Sequence, residues 1–278
     1  LHPLDFPARF STPQLCPFLK SGILFPGMGH RLDQALVERG LCESREKARR
    51  AIMAGQVIVN HQPARKPSDT ARPQDEISLT APEKYVSRGG LKLEHALSHF
   101  QLAVAGQIAV DLGASTGGFT DCLLQHGVTK VYAVDVGHGQ LAWKLRNDPR
   151  VVVMEKTNAR DLTPAKFPAP FAPVDLAVID CSFISLSRIL PVAIALLRTS
   201  GRIVALIKPQ FEAGKAEADK GRGVITDPAI HARVLGEIES FVGAQPWVAW
   251  RGATESPLLG PAGNKEFFAL IEKTGQTN

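Results

Sequence analysis

Between Gln107 and Lys208 one pattern recurs, a short apolar run followed by a stretch with helical spacing. The runs are QIAVDL, KVYAVD, VVVME, VDLAVID and RIVALIK, long enough for buried strands and too short for buried helices. Strands that alternate with helices predict a parallel sheet with helices on both faces, since each crossover must carry the chain back along the sheet before the next strand begins. The last two segments, QPWVAWRGATES and NKEFFALIE, are joined without room for a helix and are expected to pair antiparallel at the sheet edge. The expected fold class is therefore α/β.

The first run leads into DLGASTGGFTDCLLQHG (Asp111 to Gly127), which reads as strand, glycine turn and helix N-terminus. A phosphate-binding GxxxxGK[ST] loop is excluded, because Gly118 is followed by Phe119 where a lysine is needed. A dinucleotide GxGxxG turn is disfavoured by Ser115, whose side chain would crowd a pyrophosphate. What remains is DxGxxxGGF. Asp111 ends the strand, Gly113 makes the turn, and Gly117 and Gly118 allow close backbone approach, with Ser115, Thr116 and Phe119 on the same turn. Asp135, which ends the second strand, suits a ribose diol, and the turn suits an amino-acid moiety; together they describe S-adenosylmethionine. Asn158, after the third strand, is the expected adenine neighbour. The competing reading is a turn that only packs helix on strand.

Ligands of open α/β sheets bind at the carboxyl ends of the strands. Asp180 closes VDLAVID, Lys208 closes RIVALIK, Glu266 opens the last strand, and Lys92 stands near the start of the helix RGGLKLEHAL. Each alone has a bland explanation: a helix cap, a solvated cation, a local ion pair between Glu266 and Lys265. Lys, Asp, Lys and Glu in this order, on these elements, resemble the tetrad of the RrmJ/FtsJ-type ribose 2'-O-methyltransferases. A ribose hydroxyl attacks the methyl of a sulfonium only as its proton is drawn off, so the site needs a base or a cation facing the developing alkoxide. The resemblance puts Lys208 in that place. Desolvation and Lys92 would favour its neutral form, Asp180 and Glu266 would oppose it and orient the ammonium, and Lys92 would position the ribose. The basic loop Phe211 to Pro228 is either a flexible connection or a lid ordered through Lys215, Lys220 and Arg222.

Ahead of this region lies a smaller pattern. RLDQALVERG is one short amphipathic helix ending on Gly40, and SREKARRAIMAG is a second, with Ser44 as N-cap and Gly55 as its stop. QVIVNHQPARKPSDTARPQDEISL then reads as a strand, a turn over Asn60 to Pro63, a basic loop and a closing strand. RLDxALxxxGLxxSRxxAxxxIxxGxVxVN resembles the S4 RNA-binding domain. That resemblance implies phosphate contacts through Arg31, Arg45, Lys47, Arg49, Arg50, Arg65 and Lys66, to which Arg88 of the following linker is added.

The expected organisation is a leader over 1–29, an S4 domain over 30–80, a linker over 81–90 and an FtsJ-like methyltransferase domain over 91–278. Met28 precedes the first clean helical pattern by a few residues and is expected to be the initiator. Together with SRGG (Ser87 to Gly90), VIDCSFISL, KPQFE and SPLLGPAGNKEFF, these motifs resemble the TlyA (hemolysin A) family. The resemblance implies a Rossmann-like, mostly parallel seven-stranded sheet with an antiparallel last strand. It also implies methyl transfer from S-adenosylmethionine to ribose 2'-hydroxyls of cytidine in ribosomal RNA, in small and/or large subunits, by a cytoplasmic monomer without metal.

Two other classes compete. An RNA-binding assembly factor would keep the pocket and transfer nothing. A membrane-lytic protein finds little support: the longest apolar stretches, such as LPVAIALL, fall short of the roughly 18–20 residues of a span. The net charge of +5 fits an anionic partner, and Cys16, Cys42, Cys122 and Cys181 form no CxxC pair, so neither a zinc site nor a disulfide frame is indicated. Cys181 is read as packing.

Overall fold

A computed structural model describes residues 29–80, 84–214, 217, 219 and 221–275. The leader residues 1–28, with Met28, lie outside the described residues, as do Lys215 and Lys220 of the loop after Lys208. The chain divides into two units between Pro82 and Glu83.

In the first unit, β1 (His30–Arg31) runs into α1 (Leu32–Glu38), and α2 (Arg45–Met53) follows. Ser44 caps α2 as its residue type predicts, its Oγ accepting from the Lys47 amide at 3.2 Å. Gly40 and Gly55, at φ +71° and +70°, end the two helices; a Cβ would meet nothing at either, so left-handed backbone alone calls for glycine there. β2 (Val57–Val59) is the centre of a three-stranded antiparallel sheet, between β3 (Gln62–Pro63) and β5 (Ile77–Leu79). Asn60 and His61, both at positive φ, make the tight turn between β2 and β3. β1 pairs separately with β4 (Thr70–Ala71). Leu32, Leu36, Ala48, Ile52 and Val57 fill the small core.

At the edge of that core sits a full charge. Asp33 of α1 is 0 % exposed, and its carboxylate accepts from Arg31 at 3.0 and 3.2 Å and from Arg45 at 3.1 Å. Arg45 opens α2, so this network joins the two helices as well as neutralising the buried acid.

The second unit opens before α3 (Gly89–His99). Of the stretch expected to be a linker, residues 84–90 pack into this unit. Tyr85 is buried against Gly90, where a Cβ would overlap its ring atoms, and the Val86 amide donates to Asp121 Oδ2 at 2.8 Å. An apolar pair inside a polar-looking stretch found a helix face to bury against.

The five alternating runs form β6 (Ile108–Leu112), β7 (Lys130–Val134), β8 (Val151–Met154), β9 (Val174–Ile179) and β10 (Leu197–Ile207), all parallel. With β11 (Val248–Glu255) and β12 (Phe267–Lys273) they make a seven-stranded sheet in the order β11-β12-β10-β9-β6-β7-β8. β12 inserts between β10 and β11, antiparallel to both. Glu266 stands one residue ahead of β12 rather than opening it.

Alternation along each strand sends residues to opposite faces. Val110, Leu112, Ala177, Ile179, Ile203 and Ala205 meet α6 (Leu190–Leu196) and α8 (Pro228–Gly243) on one side. Ala109, Leu176, Val178, Val204 and Leu206 meet α3 and α4 (Gly118–Gln125) on the other. The sheet is thus buried on both faces, as its near-continuous apolar runs require.

The Asp33 carboxyl is held below its ordinary value of 3.8, first by the Arg31 hydrogen bond, with Arg45 adding to it. A lowered folded value means its stabilisation is complete above about pH 4 and is lost as pH falls through the folded value. Asp33→Ala is expected to lower the stability of residues 29–80 by about 1–3 kcal/mol near neutral pH. Wild type and variant should converge in strong acid, as measured by denaturant midpoints of that unit across pH.

Candidate active site

The carboxyl ends of β6, β7, β8, β9 and β10 open on two adjoining cavities. The larger, about 950 Å³, is lined among others by Asp135, Gln140, Asn158, Phe183 and Arg188. The smaller, about 290 Å³, is lined by Lys92, Asp180, Lys208 and Glu266 together with Arg88 and Thr116. Gly113, Ser115, Asp180 and Ser182 belong to the walls of both.

All four residues of the expected tetrad meet in the smaller cavity, although 174 positions separate its first and last members. They are arranged as two ion pairs. Lys92 Nζ donates to Glu266 Oε2 at 2.5 Å, with the Lys92 side chain 10 % and that of Glu266 1 % exposed. Lys208 Nζ lies 2.7 Å from Asp180 Oδ1, a charge contact outside hydrogen-bonding angles, and donates to Ser182 Oγ at 2.9 Å. Lys265, the local partner considered for Glu266, pairs with Glu255 instead. Ser182 is a contact that sequence reasoning missed. Its only signal was its place two residues beyond Asp180.

The glycine turn is held from below. Gly113 has φ +90°, and a Cβ there would meet the Asp180 carbonyl at 2.8 Å, so the turn lies flush against the end of β9. Asp135 Oδ2 accepts from the Ser115 amide at 2.8 Å and its Oδ1 accepts from the Gly137 amide at 2.6 Å, tying the turn to the end of β7. Each carboxylate oxygen keeps a further lone pair that can accept from a diol. No side chain caps α4, and Thr116, Gly118 and Phe119 at its start line the smaller cavity. An uncapped helix N-terminus facing a cavity suits an anionic group such as an amino-acid carboxylate.

Other expected positions sit elsewhere. Gly117 lines neither cavity; at φ +96° its missing Cβ makes room for Leu141 and Leu145. Gly118 does line the smaller cavity, and a Cβ there would also meet Ser87 Oγ at 2.3 Å and the Gly90 amide at 3.0 Å, so packing against the start of α3 by itself calls for glycine. Asp111 also lines neither cavity. It is 0 % exposed beneath the turn, with Oδ2 accepting from Thr120 Oγ1 at 2.7 Å and Oδ1 without a partner among the described residues. Burial pushes its carboxyl up to about 7, against the Thr120 hydrogen bond and with added repulsion from Asp180 and Asp135. Cys181 is partly buried and donates to the Leu112 carbonyl at 3.4 Å; burial pushes its thiol up to about 12, which fits packing rather than nucleophilic use.

Among the cations expected to meet phosphate, Arg31 and Arg45 are engaged with Asp33, Lys47 with Glu43 and Arg50 with Glu46. Arg49, Arg65 and Lys66 are exposed and form no ion pair among the described residues; Arg88 lines the smaller cavity. No group of three His, Cys, Asp or Glu side chains placed to hold a metal occurs among the described residues.

Comparison with known families follows the division of the chain. The FtsJ-like methyltransferase family matches residues 85–273, and the S4 domain matches residues 30–77. The chain belongs to the FtsJ-like methyltransferases. This methyltransferase is 46 % identical over 243 residues to the 16S/23S rRNA (cytidine-2'-O)-methyltransferase TlyA of Mycobacterium tuberculosis, covering 87 % of this chain and 89 % of that one. It is 43 % identical over 239 residues to hemolysin A of Brachyspira hyodysenteriae, covering 86 % and 98 %. A solved structure from Streptococcus thermophilus, whose title assigns it provisionally to the hemolysins, superposes with a TM-score of 0.67 at 44 % identity over 90 % of each chain. Among the described residues no helix of the methyltransferase is long and apolar enough to cross a membrane.

Lys92→Ala would leave Glu266 charged, buried and unpaired, and is expected to cost about 3–5 kcal/mol. The double variant Lys92→Ala/Glu266→Ala should recover a large part of that loss in denaturant titrations, and additive losses would show that the two side chains are not coupled. Asp111 has the opposite pH sense to Asp33. Its folded value lies above 3.8, so its contribution is complete below about pH 3.8 and lost as pH rises through about 7. Asp111→Asn, which cannot ionise, should gain on wild type by more than about 1 kcal/mol between pH 5 and pH 8, read from melting temperatures at each pH.

Proposed function

We propose that this chain transfers the methyl group of S-adenosylmethionine to a ribose 2'-hydroxyl of cytidine in ribosomal RNA of the small and/or large subunit. The observation that carries this reading is the shared wall of the two cavities. A cavity roomy enough for a nucleoside meets a small one holding Lys92, Asp180, Lys208 and Glu266, and Asp180 and Ser182 border both. The Mycobacterium tuberculosis relative, by what its name says it modifies, supports the choice of nucleic acid and hydroxyl.

Gly113, Ser115 and Thr116 with the start of α4 would hold the amino-acid end of the cofactor, Asp135 its ribose diol, and Asn158 its adenine. When bound, the sulfonium supplies an electrophilic methyl group. Once its own proton has been released to solvent, Lys208 Nζ would take the proton of the attacking hydroxyl as the carbon–oxygen bond forms and the carbon–sulfur bond breaks. Asp180, 2.7 Å away, would stabilise the ammonium so regenerated, and Ser182, which accepts from Nζ at 2.9 Å, fixes the direction of the side chain. Lys92 gives one N–H to Glu266, which fixes its ammonium, and keeps the others as donors for the ribose and the developing oxyanion. Exposed Arg49, Arg65 and Lys66 would meet RNA phosphates, which makes binding steeply salt-dependent. That a single chain contains every group invoked supports a monomer, and a ribosomal substrate supports a cytoplasmic location.

Transfer of labelled methyl to unmodified small and large subunits, beside naked RNA, tests the reading and names the substrate. Lys208→Ala is expected to lower transfer by about 10²–10⁴-fold with cofactor affinity nearly unchanged. Lys208→Arg keeps a cation but cannot accept a proton, so it should be as inactive as the alanine variant. Substantial turnover by either removes Lys208 as base, and cofactor binding by wild type without transfer to any RNA returns the assembly-factor reading.

A further inference from the structure

Lys208 is followed by α7 (Pro209–Glu212), and this one short segment touches the loop after β9 at three successive points. Lys208 reaches Asp180 and Ser182. The Phe211 ring packs on Phe183, with centroids 4.9 Å apart at an interplanar angle of 47°. Glu212 accepts from Ser185 Oγ at 2.7 Å through Oε2 and from the Leu186 amide at 2.8 Å through Oε1. Ser185 in turn accepts from the Ser187 amide at 3.2 Å and lies 2.9 Å from Ser187 Oγ, starting the single helical turn Leu186–Arg188.

The loop so held is strained. Phe183 is 90 % exposed and has φ +63°, a backbone region that bulky residues avoid and that persists only where the surroundings impose it. Its neighbours Ser182, Ser185, Arg188 and Ile189 form one wall of the larger cavity, and Ser182 also orients Lys208. Glu212 lines neither cavity, and the reaction derived above does not use it. Burial pushes its carboxyl up, with the two donors opposing. An acid retained in such surroundings, with both oxygens spent on one loop, has a positional task.

We propose that Glu212 is a positioning residue: by anchoring Ser185 and Leu186 it holds the loop 182–189 in the register that closes the larger cavity around the cofactor and aims Lys208 through Ser182. The inference rests on the methyltransferase reading of the site. One residue thereby sets both the cofactor wall and the orientation of the base.

The test uses the full chain and two readouts. Calorimetry measures affinity for S-adenosylhomocysteine, the unreactive product, and single-turnover transfer at saturating cofactor measures the chemical step. Glu212→Ala is expected to weaken binding and slow transfer by about tenfold or more each, since displacement of a supporting element by about an ångström has effects of this order. Glu212→Gln keeps an acceptor for the Leu186 amide and a partner for Ser185, so it should stay within about threefold of wild type in both. Folded Glu212→Ala with wild-type affinity and rate would overturn the proposal, as would Glu212→Gln as impaired as Glu212→Ala. Should Glu212→Ala not fold, Ser185→Ala decides: it removes one anchor, and an intermediate loss supports the proposal whereas wild-type values overturn it. If wild type binds S-adenosylhomocysteine but methylates no ribosomal RNA, the substrate reading fails while the affinity comparison still judges Glu212.

Discussion

Lys208 Nζ and Asp180 Oδ1 stand 2.7 Å apart, and through that contact the ends of two neighbouring parallel strands, β10 and β9, hold one another in place. A charge at the rim of an apolar sheet is costly unless it is paired, and here each side chain supplies the counter-charge of the other. The same constraint repeats at Lys92 and Glu266, which bind the start of α3 to the loop before β12. Two pairings across four elements therefore close the floor of the smaller cavity. The chemistry proposed for the site uses the groups that its electrostatics require to be together.

The glycine turn shows how packing and binding divide a motif between them. Gly113 lets the turn lie against β9, Gly117 admits Leu141 and Leu145, and Gly118 admits the start of α3. Those demands arise inside the protein. What they leave at the surface is the uncapped start of α4, while the Ser115 amide is spent on Asp135, whose carboxylate lines the larger cavity as an acceptor. A ligand on this turn would meet groups whose positions are settled by core contacts, a preorganisation that favours binding without reordering of the loop.

In the small unit a similar economy operates. Arg31 and Arg45 were read as phosphate contacts, and both are engaged by the buried Asp33. They hold α1 to α2 and neutralise that acid, whereas Arg49, Arg65 and Lys66 are exposed and form no ion pair among the described residues. Counting basic residues on a helix does not separate these roles, because the acid that distinguishes them lies on another helix.

Periodicity along the chain was enough to determine the strands, the parallel sheet and the antiparallel final pair, because a strand buried on both faces must be continuously apolar. It overstated the helices between them, since β7 and β8 are joined through the four-residue α5 (Trp143–Arg146) and β8 and β9 through two single 3-10 turns. Local chemistry determined the Ser44 cap, the stops at Gly40 and Gly55 and the start of the turn at Asn60, each a matter of a few neighbouring dihedrals; the turn ends at His61 rather than Pro63, because Gln62 and Pro63 pair with β2. Only the tertiary structure decided that Asp111 sits beneath the turn instead of facing the cavity, that Lys92 pairs with Glu266 and Lys208 with Asp180, and that Lys208 and Glu212 reach the same loop after β9, at Ser182 and at Ser185 and Leu186. Those are contacts between strand ends and loops far apart in sequence, and no local period records which side chain will face which; the order of strands in the sheet does.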